Sequence, residues 1–385
     1  MLDKLTNNGT FCVLPWIHDF TQLDGRKHLC CVASGRNGMS EVGGIETAST
    51  PEIRKKLFNG EPVTNCEHCY KQEREGLQSY RQQQNRDWLD KKKHPDVVHY
   101  FENLTDTTEP WIVHYDLRYD NKCNLSCITC DPQFSTLWQK ELNIPIKEIK
   151  LDIKNEQLLS AKKIYLAGGE PLIIDRYIEL LKFLSENRSR AEIIISTNLT
   201  TLSTEVIGYL SRLRSVILVS TDTWGRAQEY VRYPLKWDKF IRNLEALKAA
   251  RINFCYNTTA SACGVLGWER FGELEQYGPQ DWWLLPTEVP PWHGVENLPA
   301  HAKELALQSI QTMTQTNFYV KSLVFKSQVD HLIERVQKTG VYEKKLLKEI
   351  LAIDNRRGIN HADYLGISLQ PTVDSGPVND APNIV

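Results

Sequence analysis

The sequence has little net charge and no long apolar run. Its 385 residues include 46 Lys and Arg and 48 Asp and Glu, for a formal net charge of −2. Without a basic excess there is no electrostatic case for nucleic acid or a membrane as a general partner. No stretch approaches the roughly 18 apolar residues of a membrane helix. Because residues 1–10 also lack the basic and apolar regions of a secretory signal, we expect a cytoplasmic protein.

Cysteine, by contrast, is plentiful and grouped. In a reducing compartment, ten cysteines indicate metal ligation or catalysis before they indicate disulfides. Seven of them stand at spacings typical of metal ligands. Cys31, Cys255 and Cys263 are left over, and for the last two we favour buried thiols that act as small apolar side chains.

Three cysteines lie close together after an apolar, strand-like run, Ile112 to Leu117. Cys123, Cys127 and Cys130 can converge on one side of a short loop, which suits an iron-sulfur cluster. Four thiolates would close such a cluster, whereas three leave one iron free to take an outside ligand. A zinc site is the alternative, but zinc wants four ligands, and no fourth ligand of that kind follows Cys130.

The C-x3-C-x2-C spacing at the end of one strand, followed by Gly168-Gly169-Glu170-Pro171 at the end of the next, resembles the radical S-adenosylmethionine (radical SAM) superfamily. This resemblance implies a 4Fe-4S cluster on the three cysteines, whose open iron chelates SAM. It also implies that an electron cleaves SAM to a 5′-deoxyadenosyl radical, which abstracts hydrogen from a substrate. The electron would come from an external donor of the flavodoxin or ferredoxin type. One departure is Thr129, because many relatives have an aromatic residue at that position to pack on the adenine.

The segment at the second strand end has its own chemistry. Gly168 and Gly169 let the backbone approach a ligand closely, because neither has a Cβ. Glu170 can accept hydrogen bonds from an ammonium group, and Pro171 stiffens the turn. The resemblance assigns the first three of these residues to cofactor binding.

Polar residues also end the third and fourth strands. Ser196 and Asn198 correspond to family residues that contact the ribose and carboxylate of SAM. Ser220 and Asp222 keep a Ser-x-Asp pattern of relatives, and the Arg232 guanidinium suits a carboxylate. The alternative is that such residues only cap the following helices.

A second cysteine set precedes these motifs and comprises Cys12, Cys30, Cys66 and Cys69. The Asp24-Gly25 pair is a hairpin signal, and a hairpin would bring the first two cysteines together. The arrangement resembles the twitch domain, a shortened relative of the SPASM domain, and so implies an auxiliary 4Fe-4S cluster. Cys31 is an alternative to Cys30, and a zinc ribbon is the alternative to the cluster.

Short β-branched runs alternate with helix-length segments from Trp111 onward. Strands are predicted near 112–118, 162–167, 192–197, 215–221, 252–259 and 281–286. Helices are predicted near 134–142, 175–187, 203–213, 236–250 and 266–277. This alternation indicates an α/β fold with parallel strands joined by right-handed crossovers. It resembles the partial (β/α)6 TIM-type barrel of radical SAM enzymes, with ligands at the carboxyl ends of the strands.

The predicted organisation has five parts. They are a twitch-like module over 1–93, a linker over 94–110, the barrel over 111–286, a C-terminal helical region over 287–368 and a tail over 369–385. Helices of the fourth part are predicted near 299–317, 326–339 and 341–353. The tail is poor in aromatics and rich in Pro, Asp, Asn and Ser, as mobile or partner-bound segments are.

These features predict an enzyme that cleaves SAM reductively and abstracts hydrogen from an organic substrate, with the auxiliary cluster relaying electrons. The substrate is expected to be a small polar metabolite or a peptide or protein side chain. A maturase of ribosomal peptides is a further possibility, although the cysteine set occupies the space that a leader-binding module would need. The rivals are methyl or aminocarboxypropyl transfer and a non-catalytic scaffold with a zinc ribbon.

Overall fold

The structure, a computed structural model, describes residues 5, 7–23, 27–33, 51–145 and 153–370. Within these residues one eight-stranded sheet runs in the order β2-β1-β3-β4-β5-β6-β7-β8. The strands, in chain order from β1 to β8, are His18–Thr21, Lys27–His28, His114–Leu117, Lys163–Leu166, Glu192–Thr197, Arg214–Ser220, Asn253–Ala260 and Trp282–Pro286.

All neighbouring strands from β1 through β3 to β8 are parallel, and only β2 is antiparallel to its neighbour. The six strands predicted from sequence are therefore confirmed as β3 to β8, each within two residues of its predicted ends. Because β2 and β8 are the two ends of the order, the sheet is open, as in a partial barrel. The fold class is a mixed α/β fold with a parallel sheet, as the sequence predicts.

Helices fill most of the intervals between and after the strands. In chain order from α1 to α16 they are Leu14–Ile17, Pro51–Asn59, Glu67–Arg74, Tyr80–Trp88, Pro95–Glu102, Thr136–Glu141, Asp175–Glu186, Thr204–Leu210, Gly225–Val231, Trp237–Ala249, Ala262–Val265, Ala300–Thr312, Asn317–Lys321, Leu323–Gln337, Glu343–Arg357 and His361–Leu365. The segment Trp268–Tyr277, which the sequence predicts as a helix, is a 3-10 helix.

Burial alternates along the strands and defines two faces of the sheet. On β5, Ile193, Ile195 and Thr197 are buried against the outer helices, whereas Ile194 and Ser196 are half-buried. The apolar outer face and the helices that cover it form one large core. The half-buried face is the concave inner one, where a barrel of this kind holds its ligands.

The N-terminal hairpin belongs to this same sheet. In β1, Phe20 pairs with His28 of β2 on one side and with Asp116 of β3 on the other. The sequence predicts a hairpin but places it in a separate module before the barrel, because pairing between distant strands leaves no local signal. The predicted turn, Asp24-Gly25, lies outside the described residues.

The predicted linker over 94–110 contains a helix, α5. Pro95 stands in its first turn, where a missing N–H costs no hydrogen bond. Val97 and Phe101 are buried in a second core that also contains Trp16 and Trp88 from the N-terminal segment. This interval therefore packs with the residues before it.

The C-terminal helices cover the last strand, β8. At the end of α15 the chain returns to the loop that follows β3. Phe325 and Val329 of α14 join the main core, as do Leu346 and Ile350 of α15. Of the predicted tail, residues 371–385 lie outside the described residues. Among the residues that are described, no helix is long and apolar enough to cross a membrane.

Candidate functional site

The loop that carries three cysteines is fixed by backbone hydrogen bonds to a distant segment. Ser126 N donates to Tyr233 O at 2.7 Å and Ile128 N donates to Val231 O at 2.9 Å. The loop thus pairs, in the manner of a β-strand, with the chain that leaves α9. Because both partners are main-chain atoms, this pairing tolerates many side chains and is invisible in the sequence.

Side chains from the following segment hold the same loop from the other side. Thr136 Oγ1 accepts from Cys123 N at 3.1 Å, and Ser135 Oγ donates to Leu125 O at 2.6 Å. Trp138 Nε1 donates to Cys127 O at 2.8 Å. The polypeptide around the thiols is therefore ordered by its own contacts.

The three thiols are close enough to influence one another. Burial raises the pKa of Cys130 well above its usual range, and the charges of Cys127 and Cys123 raise it further. Burial, followed by the charge of Cys127, likewise raises the pKa of Cys123 to about 12. Such thiols are neutral at pH 7 unless a metal displaces their protons.

Two donors point at the sulfurs. Arg232 Nη1 lies 3.9 Å from Cys127 Sγ, and Asn198 Nδ2 lies 4.0 Å from Cys123 Sγ. Among the described residues, no three His, Cys, Asp or Glu side chains are arranged to hold a single metal ion. Three convergent thiols with donors beside them fit a cluster better, because in a cubane each thiolate binds its own iron.

The two glycines of the second motif allow backbone to approach backbone. Gly168 has φ +120°, and a Cβ on Gly169 would lie 2.2 Å from Lys122 O. Gly169 N donates to Asp120 O at 2.9 Å, and Glu170 N donates to Lys122 O at 2.8 Å. The end of β4 is thus pressed against the chain that enters the cysteine loop.

The Glu170 carboxylate is engaged within the protein. It accepts from Thr197 Oγ1 at 2.5 Å, from Asn198 N at 2.6 Å and from Leu172 N at 3.1 Å. Burial raises its pKa to about 7, although these three donors oppose the shift. Glu170 therefore braces β4 against the end of β5.

Of the polar residues predicted at the next strand ends, Asn198 contacts the cysteine loop, and Ser196 has a partner on the sheet. Asn198 Nδ2 also donates to Asn124 Oδ1 at 3.1 Å, within the cysteine loop. Ser196 is within hydrogen-bonding reach of the Tyr165 hydroxyl. Ser220, the last residue of β6, is half-buried on the inner face.

Asp222 and Arg232 form a buried ion pair. Arg232 Nε and Nη2 lie 2.8 Å and 2.9 Å from the two carboxylate oxygens of Asp222. Thr259 N also donates to Asp222 Oδ1 at 2.9 Å. The Asp222 charge raises the pKa of Arg232, although burial opposes this. The pair holds the guanidinium beside Cys127.

The four N-terminal thiols also lie within reach of one another. Burial raises the pKa of Cys30 well above its usual range, and the charges of Cys31, Cys12, Cys69 and Cys66 add to the effect. Cys31 adjoins Cys30, and its charge also raises the pKa of Arg118 and of Tyr165, which lie on the inner face of the sheet. Cys30 is thus close to Cys12, Cys66 and Cys69, and Cys31 stays the alternative to it as a ligand.

Arg81 organises the N-terminal set and was not predicted. Its Nη1 donates to Phe11 O at 2.8 Å, next to Cys12, and its Nε donates to Glu73 Oε1 at 3.0 Å. The sequence shows only an arginine in a charged helix, so no signal distinguishes it. At the other site, Trp138 and Arg357 were not predicted either, because no local pattern indicates their contacts with the cysteine loop.

The sequence profile of the radical SAM superfamily matches residues 119–279, an interval that contains the cysteine loop and the ends of β4, β5 and β6. The chain carries a radical SAM domain. Membership implies SAM and a 4Fe-4S cluster as the cofactors of this domain. The ligand and contact roles of individual residues stay predictions.

Curated relatives of the radical SAM domain include GTP 3′,8-cyclase 1 of Mycobacterium tuberculosis, 29% identical over 143 residues, 35% of this chain and 40% of the relative. GTP 3′,8-cyclase of Clostridium botulinum is 34% identical over 79 residues, 20% of this chain and 25% of the relative. The chain thus spans two fifths or less of the length of these relatives.

Among solved structures, SuiB of Streptococcus suis bound to S-adenosylmethionine aligns with a TM-score of 0.38 and 14% identity, over 72% of this chain and 66% of that one. A second structure of that protein is bound to its precursor peptide SuiA, with a TM-score of 0.37 and 12% identity, over 72% of this chain and 66% of that one.

Proposed function

We propose that the chain is a radical SAM enzyme in which Cys123, Cys127 and Cys130 hold the cluster that binds SAM. The observation that carries this proposal is that three thiols stand on one loop held by hydrogen bonds to its backbone, within the matched domain. When bound, the cluster and SAM supply a one-electron cleavage that generates a carbon radical able to abstract hydrogen from a substrate.

The protein's own part is to order and enclose this site. The hydrogen bonds of Ser126 and Ile128 fix the loop backbone, and Gly169 lets β4 close against it. The three cysteines are half-buried at this site. Arg232 and Asn198, both aimed at sulfur, would donate hydrogen bonds to ligated thiolates and so favour the reduced, more negative state.

We further propose that Cys12, Cys30, Cys66 and Cys69 hold an auxiliary 4Fe-4S cluster. Their mutual electrostatic influence supports a shared ligand set. If all four ligands are protein thiolates, this cluster has no vacancy for substrate and relays electrons. A substrate-induced spectrum that shows a new ligand on it would contradict the relay role.

The inner face of the sheet supports a polar substrate. Asp116, Tyr165, Ser196, Ser220 and Asn257 all lie on it, near the carboxyl ends of their strands. A small polar metabolite or a peptide or protein side chain fits such a surface, since buried polar groups need hydrogen-bonding partners. GTP is the second candidate, favoured by the sequence match to GTP 3′,8-cyclases.

Anaerobic reconstitution followed by an assay for 5′-deoxyadenosine tests the proposal. We expect about eight irons per chain, as two clusters require, and reductant-dependent cleavage of SAM that Cys127→Ala abolishes. Bound zinc without cleavage would instead support a scaffold. Cleavage without 5′-deoxyadenosine would point to methyl or aminocarboxypropyl transfer, and a cyclised product after addition of GTP would identify the second candidate.

A further inference from the structure

Arg357 reaches the cysteine loop from the far end of the chain. It stands in the last turn of α15, and Gly358 ends that helix with φ +63°. A left-handed residue at this position lets the chain turn away sharply. The Arg357 side chain, only 2% exposed, is left pointing away from solvent.

Its contacts fall on the loop and on the side chains that hold the loop. Arg357 Nη2 donates to Ser126 O at 2.6 Å and to Ser126 Oγ at 3.0 Å. The guanidinium lies 4.9 Å from the ring centre of Trp138 and 4.6 Å from that of Tyr233. Both aromatic residues take part in the hydrogen bonding that fixes Ser126 and Cys127.

The positive charge at this point is not fully neutralised. Glu141 accepts from Arg357 Nε at 3.0 Å and from Arg356 Nη1 at 3.4 Å, so one carboxylate faces two guanidiniums. Arg357 Nη1 is buried and has no hydrogen-bond partner among the residues that the structure describes. The guanidinium lies next to the site, because the backbone oxygen that it contacts at 2.6 Å belongs to Ser126, the residue before Cys127.

We propose that Arg357 is a positioning residue that clamps the three-cysteine loop and, through its buried charge, raises the reduction potential of the cluster held there. The effect on the reduction potential rests on the proposed function, whereas the clamp does not. A cation near a cluster favours the form with one more electron, and the effect is larger where water is excluded.

Three variants of the full-length, reconstituted protein separate these effects. Arg357→Met removes the charge and keeps an apolar stem, whereas Arg357→Lys keeps the charge and removes the planar fork. Arg356→Met is the matched control, because Arg356 also contacts Glu141 and the Trp138 ring but is 33% exposed. Circular dichroism and the thermal midpoint establish that each variant is folded.

Amide hydrogen exchange of residues 124–130 tests the clamp. We expect exchange about tenfold faster in both Arg357 variants, since a charge-assisted hydrogen bond to Ser126 is lost. Arg356→Met should exchange like the wild type. Equal exchange in all four proteins would overturn the clamp, whether or not a cluster is present.

A redox titration, in which electron paramagnetic resonance monitors the cluster signal, tests the effect of the Arg357 charge on the reduction potential. We expect a more negative midpoint potential in Arg357→Met, a value near the wild type in Arg357→Lys and a smaller shift in Arg356→Met. Equal potentials in Arg357→Met and the wild type would overturn the electrostatic role. A wild-type protein that binds no cluster would instead contradict the proposed function, and with it the electrostatic half of this proposal.

Discussion

The two cysteine sets are assembled in different ways. The three thiols of the loop come from one continuous stretch, and the surrounding structure only has to hold that stretch still. The N-terminal four come from separate elements: Cys12 precedes α1, Cys30 follows β2, and Cys66 and Cys69 lie at the start of α3. Local spacing therefore indicates the first set, whereas the second exists only once the hairpin and helices have packed.

Their electrostatic surroundings differ as well. Burial raises the pKa of Cys127 in the loop, and the charges of Arg232 and Arg357 both oppose that rise. Near the N-terminal set, burial raises the pKa of Cys12 and Cys66, and the opposing charge is that of Arg81, which is paired with Glu73. Arg232 and Arg357 are paired too, with Asp222 and Glu141, but Glu141 is shared with Arg356 and so leaves a positive charge beside the loop. An excess of positive charge suits a cluster that must accept an electron.

Removal of one set at a time gives the largest expected effect. Alanine at Cys123, Cys127 and Cys130 together should abolish SAM cleavage and lower the iron content from about eight to about four per chain. Alanine at Cys66 and Cys69 should lower iron equally but leave the signal of the SAM-binding cluster intact. Loss of both signals in the second variant would show that the two sets are not independent.

Arg81→Met tests whether the N-terminal set depends on tertiary packing. The change removes the cation beside Glu73 and leaves Ser79 Oγ and Asn85 Nδ2 as the donors to Glu73 and Phe11 O. We expect a loss of about 3 kcal/mol in the free energy of unfolding, measured by urea denaturation. Arg74→Met is the control, because Arg74 pairs with Glu67 at the surface and should cost less than about 1 kcal/mol. Similar losses in both would contradict the role given to Arg81.

Gly169→Ala tests how tightly β4 must close on the loop. A Cβ placed 2.2 Å from Lys122 O forces the backbone apart, and we expect a loss of about 3 kcal/mol. Gly208→Ala is the matched control within α8, where nothing lies within 4 Å of the added atom. It should stabilise the protein by about 0.5 kcal/mol, and a neutral Gly169→Ala would refute the close approach.

Glu170→Gln gives the smallest effect and a defined pH dependence. Burial raises the pKa of this carboxyl from 4.5 to about 7. Its contribution to stability is thus present below pH 4.5 and is lost as the pH rises through about 7. Relative to Glu170→Gln, the wild type should lose about 2 kcal/mol between pH 5.5 and 7.5. Parallel stability curves would show that the carboxylate stays charged throughout.

Much of the sheet could be predicted from local patterns. β5 was predicted with its observed limits, Glu192–Thr197, because a run of β-branched residues between turn signals indicates a strand. The pairing of β1 with β3 could not be predicted, since it joins His18 to His114, which are far apart in the chain. The sequence also placed a linker where α5 forms.

The site was predicted unevenly. Spacing indicates Cys123, Cys127 and Cys130 because the three lie in one loop. That Glu170 would turn its carboxylate toward Thr197, and that Arg232 would pair with Asp222, were decided by packing. Both side chains were predicted to serve a ligand, and neither partner can be inferred from sequence distance.

By itself the sequence determined the strand order along the chain, the grouping of the cysteines and the two motifs that follow the first two barrel strands. These depend on local spacing and on residue type. The tertiary structure alone decided that the hairpin extends the sheet, that Arg81 reaches Phe11 O and that Arg357 reaches Ser126. Contacts of this kind arise between residues far apart in the chain, and they depend on shape and burial that only the folded protein has.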